Sequence, residues 1–225
     1  LIQQLTENSK DNADLLDGLD WYIMPLVNPD GYEYTHTRER FWRKNRNPAA
    51  SRWCKGTDVN RNFGFHWGEQ GVSTNPCSEI YAGPSAFSEP ESRAVRDYIL
   101  KENKSKRIKM YLTLHSYGPL ILYPWGYDYN LNAADDVSEL IDIGNRANEA
   151  MVAAGSVRFT VENSAELYPA SGASDDWSKG VAEIAKAYTI ELPGGGSQGF
   201  DMPASQILPV TKQVFAGLRS FALDA

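Results

Sequence analysis

The sequence is short of basic charge. Its 22 Lys and Arg stand against 29 Asp and Glu, a net charge of −7. That balance argues against a nucleic-acid partner, because phosphate binding wants a basic face. A negative field can draw in basic substrates, although solubility alone explains an acidic surface. The chain also lacks any run near the roughly 20 apolar residues of a membrane span. Cysteine is scarce, with Cys54 and Cys77 the 2 present, which allows one disulfide or two buried thiols. Histidine is scarce too: His36, His66 and His115 are the 3. The first residue is not Met, and no signal peptide follows. Leu1, Ile2 and Leu5 read as the end of a helix, so the chain is expected to begin inside a domain.

Aromatic residues are plentiful, at 12 % with 6 Trp, and they need a core. A length of 225 residues fits one large domain or two small ones. Apolar runs at Trp21–Val27, Met110–His115, Leu120–Tyr123 and Ala187–Leu192 read as buried strands. Asn28-Pro29-Asp30-Gly31 reads as a turn after the first. Residues 36–86 read as a long irregular loop region holding both cysteines. Ser88 with Glu91 resembles a capping box opening a helix with Ala94, Val95, Tyr98 and Ile99 on one stripe. Asp135–Ala154 reads as an amphipathic helix closed by Gly155, and a last helix starts near Ser205. Strands alternating with helices predict an α/β fold with helices on both faces of a sheet. Chemistry in such sheets gathers at strand ends.

Polar residues stand at those ends. His115 closes its strand, and Glu191 lies inside an otherwise apolar one. A carboxylate there is paired or functional, because burying it alone is costly. A lone strand-end His is more often structural than a ligand. His36-x-x-Glu39 has metal-pair spacing, but its neighbours Arg38 and Arg40 can pair with Glu39. His66 between Phe65 and Trp67 reads as packing. Arg38, Arg40, Arg43, Lys44 and Arg46, with Arg61 beyond, form either a carboxylate-binding cluster or a loop-tying network. Asn103-Lys-Ser is a glycosylation sequon, relevant if the chain is secreted.

In order along the chain run Asn28-Pro-Asp-Gly-Tyr, Trp42-Arg43-Lys44-Asn45-Arg46, Asp58-Val-Asn-Arg-Asn-Phe63, Leu114-His-Ser-Tyr117, Tyr168-Pro-Ala-Ser-Gly172, Asp175-Asp-Trp177 and Ile190-Glu-Leu192. Together they resemble the zinc metallocarboxypeptidases of the pancreatic A/B type, over residues 20 to 220. The resemblance implies a mixed, mostly parallel twisted sheet between helices. It implies that His115 is one of three zinc ligands and that Glu191 is the general base for a zinc-activated water. Arg43 would stabilise the oxyanion. Asn60 and Arg61 would hold the substrate's C-terminal carboxylate, and Tyr168 would close over the bound residue. Ser116 and Tyr117 would line neighbouring subsites across a cis bond, and Cys54–Cys77 would be the disulfide of a secreted protein. Asp175 takes the pocket-floor position, with Gly126 and Asn163 leaving room for a long side chain. An acidic floor implies the B type, which removes C-terminal Lys or Arg.

Two features depart from the resemblance. Glu191-Leu-Pro-Gly-Gly-Gly is more like arthropod digestive members than vertebrate ones. The family's first two zinc ligands, a His-x-x-Glu pair, precede Asn-Pro-Asp-Gly, so here they would fall before Leu1; His36-x-x-Glu39 follows the turn and is not that pair. The expectation is therefore a C-terminal portion of one catalytic domain, residues 1–225, binding peptide C-termini and acting with a companion N-terminal segment. Without that segment an apolar sheet edge should be exposed. A monomer is implied. The rival readings are an A-type enzyme, with Asp175 turned to solvent, and a carboxylate-binding module that does not cleave.

Overall fold

The computed structural model describes residues 1–129 and 136–225. Four strands form one sheet, β1 (Met110–Ser116), β2 (Leu120–Tyr123), β3 (Thr160–Asn163) and β4 (Lys186–Leu192), in the order β1-β4-β2-β3. β1 pairs parallel with β4 and β2 parallel with β3, while β2 and β4 run antiparallel. The expected mixed, mostly parallel sheet is present, flanked by helices.

Side chains alternate across each strand, and the two faces bury different clusters. Ile121, Tyr123, Tyr188 and Ile190 meet α4 (Val137–Ala153) and α7 (Ala204–Leu223) through Leu140, Ile143, Ala147, Val214, Leu218 and Phe221. Tyr111 on the opposite face packs in a cluster with Val95 and Ile99 of α3 (Pro90–Glu102), Trp177 of α6 (Ser174–Gly180) and Phe63 of the loop before α3. The α4 stripe is as expected, and Gly155 takes the left-handed conformation with φ 91° that ends the helix. The expected starting residue Asp135 lies outside the described residues. On α3, Val95 and Ile99 are buried but Tyr98 is 43 % exposed.

Three expectations are corrected. Asn28-Pro29 does not make a turn: the Asn28 side chain accepts from the Gly31 N–H and opens α2 (Pro29–Thr37), with Pro29 in its first turn. Ser88 does not cap α3; the N-cap position is Glu89, and Ser88 donates to the Glu89 carboxylate at 2.7 Å. Glu89 is fully buried and is satisfied by the Asn45 and Asn47 side-chain amides at 2.7 and 2.9 Å. Trp21–Val27 forms no strand, because among the described residues no strand pairs with it. Its Tyr22, Ile23, Met24, Leu26 and Val27 are 38–47 % exposed.

β1 also lies at the sheet edge, and its Leu114 is 48 % exposed. The exposed apolar edge expected from the sequence is thus present. Residues 38–87 form the long loop region, tied by a Cys54–Cys77 disulfide. Asn103 is buried: its amide donates to the Ala182 carbonyl at 2.7 Å and accepts from the Ile108 N–H at 2.8 Å. The folded chain has no free amide for a glycan there.

Candidate active site

β1 and β4 end side by side. Their register sets His115 opposite Glu191, and both project to the face that carries Tyr111 and Thr113. The His115 Nε2 lies 3.1 Å from the Thr113 hydroxyl. Burial lowers the His115 pKa, so the ring is held neutral. Burial raises Glu191 above the usual carboxylate range, with Arg43 opposing and Asp175 adding to the rise. Glu191 Oε2 is buried with no hydrogen-bond partner in the protein. An unsatisfied carboxylate oxygen is a cost that substrate or solvent chemistry can recover.

The two arginines arrive on the loop between α2 and α3. Asp58 is the residue that places them. Its Oδ2 accepts from Arg43 Nε and Nη2 at 3.0 and 2.8 Å, and its Oδ1 accepts from the Asn60 N–H at 3.1 Å. The second contact caps a short 3₁₀ turn, Val59–Arg61, that carries Asn60 and Arg61. Burial works against the Arg43 charge, and Asp58, with Tyr168 and Glu191 adding, offsets it. Arg61 is 3 % exposed and donates to the Gly71 and Asn60 carbonyls at 3.1 and 2.9 Å. Its guanidinium sits 5.7 Å from the Tyr168 ring centre. Asn60 Oδ1 accepts from the Ser174 N–H at 3.0 Å, which leaves its amide donors for a ligand.

Arg43, Arg61 and Tyr168 share a cavity of about 530 Å³ with Gln70, Gly71, Ile80 and Pro169. Asp58, Gln70 and Ile80 were not anticipated. The signal for Asp58 was its place just before Asn60-Arg61, an N-cap residue type at a loop bend. Replacing Asp58 with Ala is expected to lower stability by about 1–3 kcal/mol, from the lost cap and the lost partly exposed ion pair. Chemical denaturation measures it.

Asp175 is 3 % exposed, against the reading that turns it to solvent. Among the described residues its hydrogen-bond partner is the Ser164 hydroxyl, 3.3 Å from Oδ2. Its charge acts on both His115 and Glu191. Asn163 caps α5 (Ser164–Leu167), accepting from the Ala165 N–H at 3.0 Å. Gly126 does not simply leave room: a Cβ there would lie 2.9 Å from the Ser164 Cβ, so Ser164 fills that space. Ser116 and Tyr117 are joined by the expected cis bond, and Tyr117 is 49 % exposed with its ring edge-on to Phe200 at 4.7 Å.

Lys44 and Arg46 of the basic cluster serve packing. Lys44 is buried and donates to the Pro76 carbonyl at 2.7 Å, while Arg46 stacks over Tyr34 and Trp42. His66 packs as expected, stacked on Tyr127 at 3.6 Å and paired with Glu69 at 2.9 Å. His36 packs edge-on to Tyr32.

A zinc ion needs about three protein ligands. Among the described residues no group of three or more His, Cys, Asp or Glu is arranged to hold a metal. His115 is one imidazole, bonded to a hydroxyl, so these residues by themselves do not fit a zinc ion.

The comparisons with known proteins agree with the motifs. The family model described as "Zinc carboxypeptidase" matches residues 1–217. Carboxypeptidase B of Astacus astacus is 44 % identical over 224 residues, covering 99 % of this chain and 73 % of that protein. Carboxypeptidase B of Bos taurus is 43 % identical over 208 residues, covering 92 % of this chain and 49 % of that protein. The chain thus spans about half the length of some relatives and near three quarters of others. Among solved structures, bovine thrombin-activatable fibrinolysis inhibitor, in complex with tick carboxypeptidase inhibitor, matches with TM-score 0.91 and 39 % identity, covering 99 % of this chain and 74 % of that one. Carboxypeptidase A from Helicoverpa armigera matches with TM-score 0.86 and 33 % identity, covering 100 % of this chain and 56 % of that one. A match over nearly the whole chain, joined to Glu191, His115 and the paired arginines at strand ends and loop bends, means that the chain belongs to the zinc carboxypeptidase family of metallopeptidases.

Proposed function

We propose that residues 1–225 are the C-terminal portion of a single catalytic domain of a secreted, monomeric exopeptidase that removes Lys or Arg from peptide C-termini. The observation that carries this reading is Asp175, a buried carboxylate whose hydrogen-bond partner among the described residues is the Ser164 hydroxyl, close enough for its field to act on Glu191 and His115. The names of the relatives that share the motifs, carboxypeptidase B among them, support it. Each side chain then has a task. Asn60 and Arg61 grip the terminal carboxylate. Arg43, held by Asp58, donates to the scissile carbonyl oxygen as negative charge builds there. Glu191 takes a proton from the attacking water and returns it to the leaving amine. Tyr168 covers the bound residue. The disulfide accords with secretion.

The zinc ligands beyond His115 would come from a segment outside these 225 residues. The same segment would cover Tyr22–Val27 and the open edge of β1, whose apolar side chains now face solvent. The carboxylate grip gives a direct test. A peptide ending in an arginine amide should be cleaved at least about 10³-fold more slowly than the free acid, because Arg61 then loses its anionic partner. Equal rates on both peptides, measured with the full-length protein, would exclude an exopeptidase.

A further inference from the structure

We propose that Asp176 is a positioning residue for the basic-residue pocket: it clamps the Trp125–Tyr127 loop against Ser164 and so holds the Asp175 carboxylate where a cationic side chain can reach it. The proposal rests on the reading of Asp175 as the pocket floor. Asp175 and Asp176 are neighbours on the first turn of α6 and both are buried, at 3 % and 0 % exposure. Their surroundings differ. Both Asp176 oxygens accept from the Gly126 N–H, at 2.9 and 3.0 Å, and the carboxylate also accepts from the Tyr127 N–H. Its hydrogen bonds thus run to the loop.

The loop passes the constraint on. The Gly126 carbonyl accepts from the Ala170 N–H at 2.7 Å, tying it next to Tyr168 and Pro169 of the cavity wall. Gly126 abuts Ser164 so closely that a Cβ would lie 2.9 Å from the Ser164 Cβ. The Ser164 hydroxyl in turn lies 3.1 Å from the Tyr123 carbonyl and 3.3 Å from Asp175 Oδ2. One hydroxyl proton has two acceptors, and the nearer is the carbonyl, so Asp175 keeps capacity for a guanidinium or ammonium. On the outer side, Trp125 and Tyr127 pack against Phe65, and Tyr127 stacks on His66. Asp176 is a carboxyl anchor inside this wall. Burial, then the Asp175 charge, raises the Asp176 pKa, while the two backbone donors oppose the rise.

Two carboxylates thus divide the work: one builds the wall, the other meets the substrate. The test uses the full-length protein and two peptides differing in a C-terminal Arg or Phe. Asp176→Ala should raise KM for the Arg peptide about tenfold, with kcat and the Phe peptide's KM within about twofold, since a charged acceptor is lost from the wall and not from the reacting centre. Asp176→Asn, which keeps one acceptor oxygen, should give a smaller loss in the same direction, about threefold, and decides the matter if the Ala variant does not fold. A fall in Tm with an unchanged Arg-to-Phe ratio of KM in both folded variants, or in Asp176→Asn where the Ala variant does not fold, means that Asp176 is merely structural and overturns the proposal. A wild type with no preference for Arg overturns the underlying reading, and this one with it.

Discussion

Replacing Glu191 with Gln is expected to cut release of the C-terminal residue by about 10²–10⁴-fold while leaving peptide binding nearly unchanged, the usual share of a positioned general base. The argument is local. Gln is nearly isosteric with Glu, so the packing of β4 against β1 and β2 survives. The amide cannot take a proton from water, so the chemistry does not. Glu191 sits beside His115 with one oxygen buried and without a partner, a state that costs stability and that binding alone does not need. Arg43 and Arg61, which carry the affinity for the carboxylate in this account, are untouched. Burst and steady-state kinetics with an Arg-ending peptide, beside calorimetric binding of the same peptide, separate the two effects. Full activity in the Gln variant would overturn Glu191 as the general base, whereas binding without release by the wild type and the variant alike would return the chain to the rival reading, a module that binds C-termini without cutting them.

Asp175→Ile should invert the substrate preference. In the wild type a Phe side chain in the pocket leaves a buried carboxylate unpaired, a penalty of about 3–5 kcal/mol, or roughly 10²–10⁴ in kcat/KM. In the variant the penalty moves to the Arg substrate, whose guanidinium then enters an apolar pocket. The ratio of kcat/KM for Arg over Phe peptides should therefore fall by about 10³-fold or more. Asp175 is 3 % exposed and on the first turn of a packed helix, so the change is read at the pocket and not at the surface. A ratio that stays put would favour the A-type reading.

The strands beneath the site were legible in the sequence as apolar runs, β2 and β4 being largely buried and β1 an edge strand of mostly half-buried residues. Met110–His115, Leu120–Tyr123 and Ala187–Leu192 are near-continuous apolar runs, and His115 and Glu191 stand out against the first and the last. Thr160–Asn163 was not legible: it has four residues, three of them polar, and exists through its ladder with β2. Trp21–Val27 has the composition of a buried strand, but composition cannot make a ladder, and among the described residues none is there to pair with it. Asn28-Pro29 shows the ambiguity of turn residues, which also open helices.

In the site, the groups that would touch substrate were readable from residue type. The groups that hold them were not. Asp58 and Asp176 act through contacts 15 and 50 residues away, on Arg43 and Gly126, and no local pattern encodes such pairings. Gly126 shows the same limit from the other side. Its missing side chain read as room for substrate, whereas the space belongs to Ser164, which is 38 positions further on.

The most direct measurement is the initial rate at which the full-length protein releases the last residue from two peptides that differ in ending with Arg or Phe. The account predicts release of Arg at a rate at least about 10²-fold above that of Phe, the discrimination a buried carboxylate supplies. Release of Phe at an equal or greater rate, or of neither residue, would contradict it.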